Sequence, residues 1–149
     1  MKLYLLMSRL LKKTLFLIVS LLYLHLDLSA QLTTTITNIK EIKGNIEFGL
    51  YDDPEVFLSD TEQYKVLYID VVSNTLIITI DSLPEGNYAI SLMHDLNSDG
   101  EMESNFFHIP QEPYGFSNNY HPRFSKPDFE DCQFYYNGES LELTIELIH

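Results

Sequence analysis

Phe134-Tyr-Tyr-Asn-Gly-Glu-Ser-Leu-Glu-Leu-Thr-Ile-Glu-Leu147 reads as two strands around a turn. Leu141, Leu143, Ile145 and Leu147 fall on one side of the second strand, with Glu142, Thr144 and Glu146 on the other. Strict alternation of this kind marks a half-buried β-strand, because successive side chains leave opposite faces. Asn137-Gly138 predicts a hairpin between the segments, since Asn and Gly tolerate the positive φ that a tight reversal demands.

The same pattern extends back along the chain. Tyr88, Ile90 and Leu92 alternate after a turn at Leu83-Pro84-Glu85-Gly86-Asn87. Tyr64–Val72 and Leu76–Leu83 are rich in Val, Ile and Tyr, with Ser73-Asn74 as the turn between them. Gly44–Tyr51 alternates through Ile46, Phe48 and Leu50, and Leu32–Ile39 is threonine-rich and β-branched. The polar connection from Asn38 to Gly44 predicts that these two segments form a hairpin. Asp52-Asp53-Pro54 stops the strand, and Glu55–Gln63 is a polar excursion with room for a short helical turn. No amphipathic helix and no internal repeat stands out. About seven strands with turns at short intervals predict an all-β fold, a single antiparallel β-sandwich.

Residues 1–30 stand apart. Lys2, Arg9, Lys12 and Lys13 precede an apolar run over Leu15–Leu26, and Ser29-Ala30-Gln31 offers a small-residue exit, the layout of a secretory signal peptide. The alternative is a retained anchor, since the run could just span a bilayer. The polar composition from Gln31 onward favours export to the periplasm or the exterior, with membrane contact only through this segment before cleavage. Residues 31–149 then form one β-sandwich domain, near the modal domain size. They hold five Lys and Arg against 21 Asp and Glu, a net charge of −16. Nucleic-acid binding needs the opposite sign and is excluded. Cys132 is the one cysteine, so no internal disulfide can form, and its neighbours Glu130 and Asp131 oppose a reactive thiolate.

Asp95–Cys132 shows neither helical nor strand period and contains four of the six prolines. Loops longer than about 12–15 residues are usually functional or disordered. Seven aromatics between Phe106 and Phe129 would be unfavourable in water, so the loop is expected to be ordered and packed over one end of the sandwich. At its start, Asp95, Asn97, Asp99 and Glu103 place oxygen side chains around Gly100, and the Glu101 carbonyl can complete a hard-cation set for one Ca²⁺. The spacing is shorter than a full EF-hand: the twelfth position is Phe106, and Glu103 at the ninth closes the loop. The alternative is a solvated turn around Asp99-Gly100.

Leu83-Pro-x-Gly-x-Tyr-Ala-Ile90, His94-Asp-x-Asn-x-Asp-Gly100, Asn105-Phe106, Ile109-Pro-x-Glu-Pro-Tyr-Gly-Phe-Ser-Asn-Asn119 and Phe129-Glu-Asp131 are present in order. With these motifs the chain resembles domain-of-unknown-function family 2141, uncharacterised exported bacterial proteins, over about Leu32–Ile148. The Leu-Pro-x-Gly-x-Tyr segment alone also resembles transthyretin-like and carboxypeptidase-regulatory sandwiches. The resemblance implies a transthyretin-like or immunoglobulin-like architecture and no activity.

His94, His108 and His121 lie too far apart in sequence for a short zinc motif, and His94 reads as a structural residue at a strand end. Aromatic residues of the loop, with Asn105, Tyr114, Phe116, Asn118, Asn119 and His94 around them, outline a candidate surface for an envelope ligand: a glycan, a peptide or a protein. The competing reading has the rings capping the core, Gly115 permitting a tight turn, and Asn118-Asn119 bonding loop carbonyls and amides. Signatures of nucleophile elbows, zinc proteases and phosphate loops are absent. The expected role is an exported binding or structural module of the cell envelope, with a small hydrolase as the remaining rival.

Overall fold

The computed structural model describes residues 30–59, 61–106, 109–123 and 125–149. The expected signal segment, Ala30 apart, lies outside them. Among the described residues eight strands run in order: β1 Gln31–Thr37, β2 Asn45–Tyr51, β3 Lys65–Asp70, β4 Leu76–Asp81, β5 Gly86–Asp95, β6 Tyr114–Phe116, β7 Phe134–Tyr136 and β8 Leu141–Glu146. A 3₁₀ turn at Pro54–Val56 occupies the polar excursion, capped by the Asp53 side chain on the Glu55 amide. A second spans Ser117–Asn119, and among the described residues one helix, α1, covers Phe129–Cys132. Among the described residues, no helix is long and apolar enough to cross a membrane.

The strands form two sheets. One has the order β4-β1-β8, and the other runs β3-β2-β5-β6, with β7 also paired to β5. Leu32, Ile36, Leu76, Ile78, Ile80 and Ile145 from the first sheet share one buried cluster with Ile46, Phe48, Leu50, Tyr88, Ile90 and Leu92 from the second. Alternation therefore delivers what it predicts: one face of each sheet goes into a common core.

Pairing differs from the sequence expectation in three places. β1 and β2 do not form a hairpin, because β1 pairs with β4 and β8 while β2 pairs with β3 and β5. Asn137-Gly138 likewise does not join partners, since β7 pairs with β5 and β8 with β1. Third, β1 and β8 run parallel in an otherwise antiparallel fold, with Leu32 opposite Leu141 and Ile36 opposite Ile145. Turn residues specify that the chain reverses; they do not specify whether it returns beside itself or crosses the core. Here the polar connections are arches between sheets. Asn38 and Ser82, at two of these arches, take positive φ of 62° and 58°.

Outer faces are treated unequally. Thr33, Thr35 and Thr37 on β1 point away from the core. On β2 and β5 the outward Tyr51 and Ala89 join Phe116, Phe129 and Cys132 in a second buried cluster, with Phe57, Leu58, Tyr114 and Tyr120 packed on it. Tyr51, Phe57 and Phe129 stack edge-to-face with centroids 5.2 and 5.7 Å apart. The long segment after β5 thus supplies a third layer over a sheet face, rather than a cap over one end. Gly115 sits inside β6 and not at a turn; a Cβ there would come within 3.0 Å of Ile145 Cγ2, so glycine lets β6 approach β8.

Gly44 closes the first arch onto β5. Its φ is +64°, and a Cβ would lie 2.0 Å from the Asp95 carbonyl oxygen. Gly138 also has positive φ but nothing near it. Gly44→Ala should therefore lower stability by about 2–4 kcal/mol, while Gly138→Ala should lose only about 1 kcal/mol of conformational preference. Urea midpoints with unchanged slopes check this, and equal losses would contradict the close-approach account.

Candidate functional site

β5 is ten residues long, and two three-residue strands cover one of its edges in succession. β7 pairs with Gly86–Tyr88 and β6 with Ser91–Met93. Between them the Ile90 amide would be buried without a strand partner. The Ser117 hydroxyl takes that place: it accepts from Ile90 N at 2.8 Å and donates to the Cys132 carbonyl. A buried amide left unpaired is costly, so this hydroxyl is what lets two short strands share one edge.

The next two residues extend the splice. Asn118 and Asn119 take φ of 61° and 50°, a conformation that Asn tolerates better than most side chains. Asn118 Nδ2 donates to the Gln133 carbonyl at 2.9 Å, where α1 runs into β7. Asn119 Nδ2 donates to Thr144 O at 3.0 Å, and its Oδ1 accepts from Glu146 N at 2.8 Å. One side-chain amide thereby stands in for a neighbouring strand on the edge of β8. Both amides of the expected ligand surface are engaged with backbone. Phe116 is buried in the second cluster and Tyr114 packs beside it, so the rings of this stretch largely cap the fold.

Asp95 ends β5 and is buried, and its two carboxylate oxygens turn the chain. Oδ1 accepts from Ser98 N at 2.6 Å and Asp99 N at 3.3 Å, and Oδ2 from Gly100 N at 2.8 Å. Ser98 and Gly100 take the positive φ of the sharp bend, at 61° and 78°. At the surface, Asn97 Nδ2 sits 2.8 Å from Asp99 Oδ2 and 3.1 Å from Glu103 Oε1, and the Glu101 amide donates to Asp99 Oδ1 at 2.9 Å. Among the described residues, no three His, Cys, Asp or Glu side chains stand together as a metal-holding group. Asn97 turns Nδ2 to the two carboxylates while its Oδ1 accepts from Asp99 N at 3.1 Å, so a hard cation here would draw first on Asp99 and Glu103, oxygen donors that suit Ca²⁺ chemistry.

Glu112 went unread in the sequence. It is buried, and its carboxylate accepts from Leu96 N at 2.8 Å and Glu103 N at 3.4 Å, tying both ends of the acidic loop to one side chain. The sole available signal was an acid between two prolines, Pro110 and Pro113, inside the Ile-Pro-x-Glu-Pro motif. Before it in the chain, Gln111 N donates to Glu103 O at 2.8 Å and Asn105 N to Ile109 O at 2.9 Å. Asn105 Oδ1 also accepts from Ile109 N at 3.1 Å.

His94 lies fully buried at the end of β5, with Nε2 2.9 Å from the Lys43 carbonyl, and His121 is exposed; His108 lies outside the described residues. Past the splice, Asn118, Asn119, Tyr120, His121, Arg123 and Ser125 line an open groove of about 570 Å³. Burial and then the nearby Asp131 carboxylate, to which it hydrogen-bonds, push the Tyr120 phenol upward. Cys132 is fully buried in the second cluster, and burial with Asp131 pushes its thiol up to about 12.

Residues 34–144 match the bacterial family described as "Uncharacterized protein conserved in bacteria (DUF2141)". No curated protein and no solved structure matches the chain.

Two outcomes follow from this geometry. Ser117→Ala should remove about 1–3 kcal/mol by stranding the Ile90 amide, and amide exchange at Ile90 should accelerate more than at Leu50 across the ladder. The Cys132 thiol should stay protonated and unreactive toward Ellman's reagent at neutral to mildly alkaline pH, and react fully once denaturant is added. Rapid labelling of the native protein would contradict its placement.

Proposed function

The chain belongs to the DUF2141 family of bacterial proteins, and from that premise we propose that it is an exported binding or structural module of the cell envelope whose acidic loop takes one Ca²⁺. The observation that carries the reading is the convergence of Asp99 Oδ2 and Glu103 Oε1 on Asn97 Nδ2, at 2.8 and 3.1 Å, a point held by an amide N–H donor whose place a cation would take. Two carboxylates held around one exposed point repel by roughly one to a few kcal/mol, which a divalent cation converts into attraction. Asn97, Asp99, Glu103 and the Glu101 carbonyl would hold the ion, with Asp95 turning the chain beneath them. The net charge of −16 over residues 31–149 favours cations at this surface. Export rests on the signal-like layout of residues 1–30.

The ion would rigidify. Asp95 and Glu112 already fix the loop to β5 and to the segment before β6. A cation would add the exposed outer arc, Asn97–Glu103, to that frame. Extracellular calcium modules bind with Kd of roughly 10⁻⁴ to 10⁻³ M, and the same range applies here.

Thermal unfolding in millimolar Ca²⁺ against EDTA tests the reading. Occupancy at about a hundred times Kd should stabilise by about 2.7 kcal/mol, a rise of several degrees for a domain of this size. Asp99→Ala should abolish the rise with little effect on Tm in EDTA. No difference between the two buffers would leave a hydrogen-bonded turn without a metal.

A further inference from the structure

We propose that the outer edge of β3 is the docking surface for a second copy of this chain, joined antiparallel about a two-fold axis at Leu67. Among the described residues β3 is the last strand on its side of the sheet, and it pairs only with β2. Edge strands are commonly blunted by proline, by a bulge or by a charge in mid-strand, or they are covered. β3 reads Lys65-Val-Leu-Tyr-Ile-Asp70, with charges only at its two ends and an unbroken register against β2. The opposite side of the sandwich shows the contrast: β6 and β7 cover β5, and Asn119 occupies the edge of β8.

β4 is also an edge strand, and the core tells the two apart. Leu76, Ile78 and Ile80, the core-facing residues of β4, are buried. Leu67 and Ile69, the core-facing residues of β3, pack on the same cluster yet stay half-buried. On the outer face of β3, Val66 and Tyr68 are 37% and 64% exposed. The core is closed at β4 and unfinished at β3. A strand added at β3 therefore takes apolar side chains out of water as well as pairing main-chain groups.

Backbone direction and charge select the occupant. The Val71 amide donates to the Gly44 carbonyl at 3.0 Å, so the odd-numbered residues of β3 turn their N–H and C=O groups toward β2. Val66, Tyr68 and Asp70 turn theirs outward, because these directions alternate along a strand. Two antiparallel copies can then pair only outward residue against outward residue. With Leu67 opposite Leu67, Val66 meets Tyr68 on both sides of the axis, and the half-buried leucines complete the core. Moving the axis to Tyr68 would set Asp70 against Val66. The antiparallel sense also brings Lys65 of one copy to the rung next to Asp70 of the other, whereas parallel pairing would align like charges. Each copy carries a net charge of −16 over residues 31–149, so long-range repulsion opposes the pair and salt screens it. One short edge is a small interface, which places the dimer among weak, concentration-dependent complexes.

Sedimentation velocity of the protein in EDTA, from micromolar to millimolar concentration, tests this independently of calcium. The sedimentation coefficient should climb from the monomer toward the dimer value, and at fixed concentration it should climb further as NaCl is raised. Val66→Pro removes an outward N–H and no bond to β2, so the variant should keep its circular dichroism and stay monomeric. A cysteine pair reads the register without relying on that variant. Leu67→Cys sets two thiols face to face in a non-hydrogen-bonded pair, where side chains are closest, and mild oxidation should link two copies. Ile77→Cys, equally accessible on β4, should link far less; Cys132 is buried and takes no part. A monomer at every concentration overturns the second copy as occupant and leaves the edge to a strand of a different protein. The proposal also falls if folded Val66→Pro associates like wild type, or if Ile77→Cys links as readily as Leu67→Cys.

Discussion

The Ser117 hydroxyl on the Ile90 amide is the bond on which the arrangement of the second half of the chain depends. β5 is longer than either strand that pairs with its outer edge, so a gap in the ladder is unavoidable. Closing it with a side chain fixes where β6 must end, where α1 must present its carbonyl, and where β7 must begin. Asn118 and Asn119 then carry the same logic outward, one to the start of β7 and the other to the edge of β8. Three consecutive polar side chains join both sheets and the helix. Hydrophobic burial holds the layers together, but it is direction-free; these bonds set the register.

Carboxylates do related work at the other end of β5. Asp95 and Glu112 are both buried, and both use their oxygens on main-chain amides rather than on cationic side chains. The acidic loop is therefore built in two tiers. The inner acids shape and tether it, and the outer pair, Asp99 and Glu103, face solvent around Asn97. Sequence spacing alone merges the tiers into one cluster, because burial is invisible in the string Asp-Leu-Asn-Ser-Asp-Gly-Glu-Met-Glu.

Much of the fold was legible because alternation is a local signal. The strands over Asn45–Tyr51, Leu76–Asp81 and Leu141–Glu146 lie within a residue or two of where their apolar residues put them, and the sandwich follows from two half-buried sheets. Partner choice was not legible. Asn137-Gly138 carries hairpin chemistry, yet β7 and β8 lie in different sheets, since turn preference cannot distinguish a hairpin from an arch. In the candidate site, sequence spacing put an Asn97 oxygen beside Asp99 and Glu103, where the fold presents its Nδ2. Glu112 and Ser117 could not be foreseen, because each acts on a backbone amide distant in sequence.

The parallel β1–β8 pair has a kinetic side. β1 is the central strand of its sheet, yet one of its neighbours is β8, at the far end of the described chain. Closing so large a loop is an entropic barrier, and proteins dominated by such contacts fold slowly. Until β8 arrives, the β1 edge offers unpaired amides and carbonyls to any extended segment nearby. Native pairing of this sheet is thus delayed by topology alone, since β1 is made long before β8.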